Sequence, residues 1–527
     1  MRILLIDPRF PRTFWSFDRA VSLMGHKVLL PPLGLITVAA LLPQNWQFRL
    51  VDCNVRAVTE ADWQWADLVI LSAMLVQKRD LAHQISLAKA QGCPVAVGGP
   101  FASSSPDAPE LSQADYLVLD EGEITLPMLV EALQNGQAKG RFTAGGEKPD
   151  LTATPVPRFD LLELQAYAML AVQFSRGCPF QCEFCDIIVL YGRKPRTKTP
   201  DQLLAELEAI RHLNWRGEIF LVDDNFIGNK RHVKQLLPAL AAWQHDHNDP
   251  FAFTTEASID LADDEELMEL MRKSGFNRVF LGIETPDLSS LASANKHQNT
   301  RSPLLEAVDA ITAQGLLVMA GFILGFDGEQ PGAGQRIIDF VNRSAIPLAM
   351  VGILQALPNT ALWHRLKRED RLLHVEADFD TGVQTNLLNF RPSRPIEAIA
   401  SEFIEAFDEL YEPSQYLDRV YRYSTKLGRD QSHRRLSLKS FFGHLKRPGA
   451  LIGMLHLFWN QGVRRPTRWS FWRYLLLTAI QRPRVLDQFL WMALLNEHFL
   501  DYRSVVRQEV NNQLQWSRSQ LRAEVAA

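Results

Sequence analysis

The chain has 527 residues, enough for three or four domains and a large hydrophobic core. Its composition, 46% hydrophobic and 22% charged with 29 glycines and 29 prolines, excludes wholesale disorder and fibrous repeats. The net charge of −4, from 56 basic and 60 acidic residues, gives the whole chain no general affinity for nucleic acid. Five cysteines are too few for a disulfide scaffold, so we expect a reducing cytoplasm, in which clustered cysteines bind metal.

Residues 1–135 alternate short apolar strands with helical stretches. The predicted strands are 3–6, 48–52, 68–72, 94–97 and 116–119. This alternation predicts a doubly wound, Rossmann-like parallel sheet, whose ligands bind beyond the carboxyl ends of the strands. Residues 136–160 are rich in glycine and proline and are predicted to be a linker.

Residues 161–370 repeat the alternation with longer connections. The predicted strands are 170–174, 219–222, 251–255, 279–282, 317–323 and 351–355, each followed by a helical pattern. Six such units predict a (β/α)6 partial barrel with its chemistry on the loops after the strands. Residues 371–527 lose the strand pattern and are predicted to form a mainly helical C-terminal domain.

Three cysteines, Cys178, Cys182 and Cys185, lie in one short segment after the first barrel strand. Three thiolates on one loop can bind three corners of a cubic 4Fe–4S cluster and leave the fourth iron open. A structural zinc site needs a fourth ligand, and the other cysteines, Cys53 and Cys93, lie in the first domain. The alternatives are a zinc knuckle completed by a distant histidine, or three unrelated thiols.

The CxxxCxxC spacing, with Phe184 before the last cysteine, resembles the radical S-adenosylmethionine (SAM) superfamily. The resemblance implies that the open iron binds SAM, and that reduction by a flavodoxin- or ferredoxin-type donor cleaves SAM to a 5′-deoxyadenosyl radical. Polar residues follow the barrel strands, where the family holds the SAM ammonium and ribose. The SAM-binding candidates are Asp223, Asp224, Asn225, Glu256 and Glu284. Their alternative role is helix capping and turn formation.

The first domain resembles a cobalamin-binding domain. The residues that carry the resemblance are Ser72, the turn of Gly98, Gly99 and Pro100, and the acidic turn Asp120, Glu121, Gly122 and Glu123. The resemblance implies that the Gly-Gly turn meets the corrin. Many cobalamin domains place a cobalt-binding histidine after the first strand, but Arg9 stands here and cannot coordinate cobalt. We expect cobalamin to bind without a lower protein ligand. The alternative is a docking domain that binds no cobalamin.

The two domains and the stretch after the cysteines, 186–199, together resemble a subfamily that includes the hopanoid C-2 methylase. The resemblance implies a cobalamin-dependent radical SAM methyltransferase acting on an unactivated carbon of a hydrophobic substrate, such as a hopanoid or another lipid. Two alternatives stay open, a cobalamin-dependent radical SAM cyclase or rearrangement enzyme and a non-catalytic cobalamin or redox sensor. Four basic residues follow the cysteines, and we expect them to hold a cofactor carboxylate or phosphate. The alternative is a solvated basic loop. The four are Arg193, Lys194, Arg196 and Lys198.

Residues 431–490 depart from the charge of the chain. They hold 11 Lys or Arg against one acid, Asp487, together with nine aromatic residues. This composition suits an anionic membrane surface, while RNA is the less favoured partner. The alternative is a helical cap whose aromatic residues are core. We expect a cytoplasmic protein, peripheral to the inner face of the membrane, because the N-terminus lacks a signal-peptide pattern and the longest apolar run, 33–42, cannot span a bilayer.

Overall fold

The computed structural model describes residues 1–373, 383–429 and 448–526. The chain divides into two compact units. The first unit comprises residues 1–11, 27–179 and 185–252, and the second comprises 12–26, 180–184 and the described residues from 253 on. No helix in the described ranges is both long and apolar enough to cross a membrane. The domain boundaries expected at 135, 160 and 370 remain predictions.

The first unit contains a six-stranded parallel sheet with the strand order β2-β1-β3-β4-β5-β6. The strands are β1 Arg2–Asp7, β2 Gln47–Asp52, β3 Leu68–Ser72, β4 Val95–Gly98, β5 Tyr116–Val118 and β6 Gly140–Phe142. In β1, Leu4 and Ile6 join the core on one face and Ile3 and Leu5 join the core on the other. A strand buried on both faces is characteristic of a doubly wound sheet, so this part of the predicted fold is confirmed.

The predicted linker contributes one strand to this sheet. Strand β6 lies within 136–160 and pairs in parallel with β5. Sequence analysis missed it because a three-residue edge strand that begins with a glycine carries no readable alternation. Helices in residues 1–252 are α1 Asp18–Leu23, α2 Leu33–Leu41, α3 Glu60–Trp65, α4 Lys78–Ala90, α5 Gly99–Ser104, α6 Gly122–Gln134, α7 Ile187–Leu190, α8 Pro200–His212 and α9 Lys230–Asp246.

All six strands predicted for the barrel are present. Strand β7 Leu170–Val172 pairs in parallel with β10 Gly217–Leu221, and the short strands β8 Ser175–Arg176 and β9 Arg196–Thr197 pair antiparallel. Strands β11 Phe251–Ala257, β12 Phe276–Glu284, β13 Leu317–Leu324 and β14 Leu348–Ile353 are parallel neighbours in chain order. The helices that follow are α10 Glu265–Lys273, α11 Leu288–Ser293, α12 Leu304–Ala313, α13 Ala333–Ser344 and α14 Ala361–Arg368. The predicted βα repeat is therefore confirmed.

The C-terminal region is helical, as predicted. Its helices are α15 Ile396–Leu410, α16 Pro413–Lys426, α17 Pro448–Trp459, α18 Arg468–Gln481 and α19 Leu486–Ala526. Buried tyrosines attach α15 and α16 to the last strands: the Tyr411 hydroxyl donates to the Ala349 carbonyl at 2.8 Å, and the Val318 N–H donates to the Tyr423 hydroxyl at 2.6 Å. Residues 431–447 of the predicted basic segment lie outside the described residues.

Candidate active site

The β8–β9 pair flanks the cysteine segment, and in this pair Ser175 faces Thr197 and Arg176 faces Arg196. Gly177 follows with φ +92°, and a Cβ there would lie 2.8 Å from the Gly192 carbonyl oxygen. Only glycine tolerates both the left-handed backbone and this close approach. The base of the loop is therefore fixed by backbone packing before its first cysteine.

Asp223 holds the end of β7. Its carboxylate accepts from the backbone N–H groups of Phe174 and Ser175, both at 2.8 Å, and from the Ser175 hydroxyl at 2.7 Å. Burial raises the pKa of Asp223 to about 7. Asp223 therefore bonds the backbone just ahead of the cysteines. Such a role in a turn is the alternative to SAM binding given for this residue in the sequence analysis.

The next two residues contact the cysteine loop itself. Asp224 accepts from the Gly177 N–H at 2.8 Å, and burial raises the pKa of Asp224 to about 6. The Asn225 amide nitrogen lies 3.9 Å from Cys178 Sγ, within reach of an N–H···S hydrogen bond. The three predicted residues 223–225 therefore bond to the chain at and just before the first cysteine, between residues 174 and 178. Their contact with SAM remains a prediction.

The second cysteine belongs to the second unit. The Gln298 amide donates to Cys182 Sγ at 3.5 Å, and the Glu183 N–H donates to the Ala294 carbonyl at 3.0 Å. The Glu183 carboxylate pairs with Arg365 at 2.8 Å. Cys182 is buried, and none of the five cysteines forms a disulfide. Gln298 could not be identified from the sequence, because a lone glutamine far along the chain matches no metal-ligand spacing.

Glu284, at the end of β12, is buried and adopts φ +64°, a left-handed backbone that is costly for a residue with a side chain. Its carboxylate forms an ion pair with Lys296. The Lys296 ammonium also lies 5.8 Å from the centre of the Phe184 ring, next to the last cysteine. Glu256 is half-buried in β11, opposite Phe280 of β12. Lys296, which sequence analysis missed, is the residue that holds Glu284 in place.

The acidic turn of the cobalamin domain is paired with arginines of β8 and β9. Arg176 contacts Glu121 and Glu123, each at 2.9 Å, and Arg196 contacts Glu121 at 2.8 Å. All four side chains are at most 14% exposed. Arg196 was a candidate for a cofactor anion, but this structure uses it in an internal ion pair. The turn of the cobalamin domain and the base of the cysteine loop are thus joined within the first unit.

The predicted corrin-facing residues meet at the ends of β3 and β4. Ser72 lies opposite Gly98 in the parallel register. Gly99 has φ +88°, and a Cβ there would lie 2.3 Å from the Ser72 hydroxyl. Pro100 is in the first turn of α5. These close approaches leave a surface of backbone and small side chains at the strand ends, which fits a flat macrocycle.

The end of β1 is stabilised by a buried polar cluster. Asn54 and Gln77 each donate to the Asp7 carboxylate at 3.2 Å. Burial, together with the charge of Asp52, raises the pKa of Asp7 well above its usual range. Arg9 uses its backbone N–H to bond a carboxylate of α4, and its side chain lines a cavity of about 320 Å³. Arg9 thus occupies the position at which many cobalamin domains carry a cobalt-binding histidine.

Within the parts of the chain that the structure describes, no three His, Cys, Asp or Glu side chains converge as a ready-made site for a metal ion. The assignment of Cys178, Cys182 and Cys185 to a cluster thus depends on their spacing and on the family to which the chain belongs. The donor set itself is suitable: three thiols on one loop, none of them in a disulfide and two of them beside side-chain amides.

Comparison with protein families identifies three regions. The radical SAM superfamily matches residues 172–341, the B12 binding domain matches 26–130, and a domain of unknown function, DUF4070, matches 360–512. The first two matches assign to the chain the cofactors predicted from its sequence, a 4Fe–4S cluster, SAM and cobalamin.

Two curated relatives and one solved structure resemble nearly the whole chain. An uncharacterized methyltransferase, sll1242, from Synechocystis sp. is 57% identical, covering 98% of this chain and 94% of the relative. The hopanoid C-2 methylase of Rhodopseudomonas palustris is 35% identical, covering 95% and 93%. The cobalamin-dependent SAM radical enzyme OxsB shares the fold with a TM-score of 0.59 at 16% identity, covering 98% of this chain and 83% of that one. The chain therefore belongs to the cobalamin-dependent radical SAM methyltransferase family.

Proposed function

We propose that this enzyme transfers a methyl group to an unactivated carbon of a hydrophobic substrate of the lipid class, such as a hopanoid. The observation that carries the proposal is the 35% identity to a hopanoid C-2 methylase over 95% of the chain. The 57% identical relative is also named a methyltransferase. Methylation is therefore favoured over the cyclisation and sensor alternatives.

The residues of the chain would position the reactive groups and protect them from water. When bound, the cluster and SAM supply a hydrogen-abstracting radical, and cobalamin supplies the methyl group. Cys178, Cys182 and Cys185 would hold the cluster, while Asp224 and Asn225 fix the loop at Gly177 and Cys178. Glu284 and Glu256 are the carboxylates that we propose for the SAM ammonium and ribose.

Cobalamin would bind over Ser72, Gly98, Gly99 and Pro100, with no protein nitrogen on cobalt. Arginine stays protonated and would not ligate cobalt, so Arg9 would supply no ligand to bound cobalamin. An electron paramagnetic resonance spectrum of bound cob(II)alamin should lack nitrogen superhyperfine splitting from a histidine. Such splitting would contradict the proposal. Variants at Gly99 are poor tests, because a Cβ there already collides with Ser72.

Two partners complete the proposal. Reduction of the cluster requires a low-potential electron donor of the flavodoxin or ferredoxin type. A lipid substrate requires access to the membrane, and the basic, aromatic stretch 431–490 is our candidate for that contact. Nucleic acid is not proposed as a partner.

The deciding experiment is anaerobic turnover of the reconstituted full-length protein with SAM, a reductant and a hopanoid extract. We expect both 5′-deoxyadenosine and S-adenosylhomocysteine, since methylation uses SAM in two ways. Deoxyadenosine alone would point to cyclisation or rearrangement, and neither product with any lipid would favour a sensor. Cys178→Ala should abolish deoxyadenosine formation, and Cys93→Ala, a change at a buried thiol two residues before β4, should not.

A further inference from the structure

Helices α17 and α18 expose an unusual number of large apolar side chains. Leu455 and Trp459 lie four residues apart in α17, and Val463 lies in the π-helical turn Asn460–Arg464 that follows it. In α18, Trp469, Trp472, Leu476 and Ile480 follow at spacings of three and four, which place them on one side of the helix. All seven are between 40% and 74% exposed. We call these seven residues the 455–480 face.

The opposite side of the same helices is packed. Leu457 and Phe471 are buried, and the Phe471 ring lies 6.2 Å from the Phe458 ring and 6.5 Å from the Phe489 ring, centre to centre. Trp472, the least exposed of the seven, is held at the edge of this core: it stacks on Phe458 at 5.6 Å, and its indole N–H donates to the Gly462 carbonyl at 2.8 Å. The helices therefore have their own core, and the exposed side chains are additional to it. The core interpretation of the aromatic residues fails for Trp459 and Trp469, which are 58% and 74% exposed.

The charge around the 455–480 face is of one sign. Residues 455–485 contain six arginines and no Asp or Glu. Arg465 is used internally, in an ion pair with the buried Glu497 at 2.7 Å. Arg464, Arg468 and Arg473 are exposed, and the Arg468 guanidinium lies 5.8 Å from the centre of the Trp469 ring. Exposed tryptophans with arginines beside them form a surface suited to an anionic, partly apolar partner.

We propose that the 455–480 face docks on the surface of an anionic lipid bilayer. Large apolar side chains exposed together mark interaction sites in soluble proteins. A second copy of the chain is a poor occupant, because a twofold interface would bring the same arginines of both copies together. Anionic lipid headgroups instead complement the arginines, and the tryptophans suit the boundary between headgroups and acyl chains. Docking rests on the proposed function, because an enzyme that methylates a lipid needs to reach the membrane that contains it.

The test is co-sedimentation of the anaerobically reconstituted full-length enzyme with vesicles of phosphatidylcholine and phosphatidylglycerol at low salt. We expect the wild type to bind these vesicles and to bind pure phosphatidylcholine weakly. Changing Arg464, Arg468 and Arg473 together to Glu should lower the partition coefficient on the order of a hundredfold, from the usual contribution of each basic residue. Arg465 is left unchanged, so that its pair with Glu497 stays intact.

A second variant tests the apolar part. Changing Trp469, Leu476 and Ile480 together to Ser should reduce binding at least tenfold, and the residual binding should vanish in high salt. The matched control changes three exposed apolar residues of the first unit, Leu87→Ser, Met128→Ser and Val156→Ser, and should bind like the wild type. Circular dichroism melting would establish that every variant is folded.

Docking would be refuted if the wild type did not bind anionic vesicles, or if the apolar-face variant bound them as well as the control. It would also be refuted if the enzyme formed a concentration-dependent dimer that was lost only in the apolar-face variant. Deoxyadenosine formation measured without vesicles should be the same in the wild type and in both docking variants. This measurement therefore tests the proposed function separately from docking. An enzyme that binds vesicles but makes no S-adenosylhomocysteine would refute methyl transfer and leave docking standing.

Discussion

Replacing Arg176 with Met is expected to destabilise the first unit by about 3 kcal/mol at pH 8, the lower end of the cost of unpairing a buried ion pair. Arg176 contacts Glu121 and Glu123, each at 2.9 Å, and their side chains are 3% and 6% exposed. Glu121 would keep Arg196 at 2.8 Å, while Glu123 would lose its arginine and keep the Thr154 hydroxyl at 2.8 Å and a backbone hydrogen bond. The variant therefore leaves one buried carboxylate without a cation.

The cost should depend on pH. Burial pushes the pKa of Glu123 upward, but the charge and hydrogen bonds of Arg176 outweigh it and hold this pKa below its usual value. A carboxyl with a lowered pKa stabilises the fold above its unfolded pKa, and that stability is lost as the pH falls through the folded pKa. Without Arg176, burial dominates and Glu123 takes up a proton above its usual pKa. The difference in unfolding free energy between wild type and variant should therefore shrink from pH 8 to pH 5.

Urea unfolding of the reconstituted protein, followed by far-ultraviolet circular dichroism at both pH values, measures this difference in the transition that involves the first unit. The matched control is Arg2→Met, which breaks the pair of Arg2 and Asp67, 2.7 Å apart but 44% and 40% exposed. An exposed pair contributes less than about 1 kcal/mol. If Arg176→Met cost no more than the control, or the same at pH 5 and pH 8, the reasoning from burial would be wrong.

Three further predictions concern the bound iron–sulfur cluster. Gln298→Leu removes the N–H donor beside Cys182 and should make the cluster harder to reduce, seen as a more negative midpoint in a redox titration by electron paramagnetic resonance; an unchanged midpoint would contradict the contact. Gly177→Ala should lower bound iron, because its Cβ meets backbone. Gly136→Ala, also at positive φ but with nothing within 4 Å, should keep its iron; equal iron in both would argue against the collision. Cys53→Ala should retain iron and SAM cleavage, and loss of either would require a role for this buried thiol.

The layout of the strands could be predicted because its signal is local. Four consecutive apolar residues, 3–6, followed by an acid and a proline predict a short strand buried on both faces, and the structure shows that β1 supplies both cores. The cysteine spacing is also local, since its three members fall within eight residues. Neither inference needs knowledge of what lies across the fold.

The partners of the candidate site could not be predicted because they are distant in the chain. Arg176 and Arg196 lie 55 and 75 residues beyond Glu121, and no spacing rule connects them. Lys296 meets Glu284 across 12 residues that include a helix, which no helical or strand period would suggest. A basic loop and an acidic turn are each ordinary solvated features in sequence, and only the fold shows that they neutralise each other.

A polar residue at the end of a barrel strand can be predicted to belong to the site. What that residue does in the site cannot be predicted from its type alone. A carboxylate there can bind a cationic ligand or accept from the free N–H groups of the adjoining loop, and both uses require the same residue. Asp223 satisfies three donors of the chain ahead of the cysteines, and Asn225 places an amide beside Cys178. Amide donors to cluster sulfurs favour the reduced state, so we expect residues that resemble substrate ligands in sequence to affect also how easily a cluster held by these cysteines is reduced. The same reasoning applies to Gln298 at Cys182, which lies outside any motif and has the shorter contact, 3.5 Å against 3.9 Å.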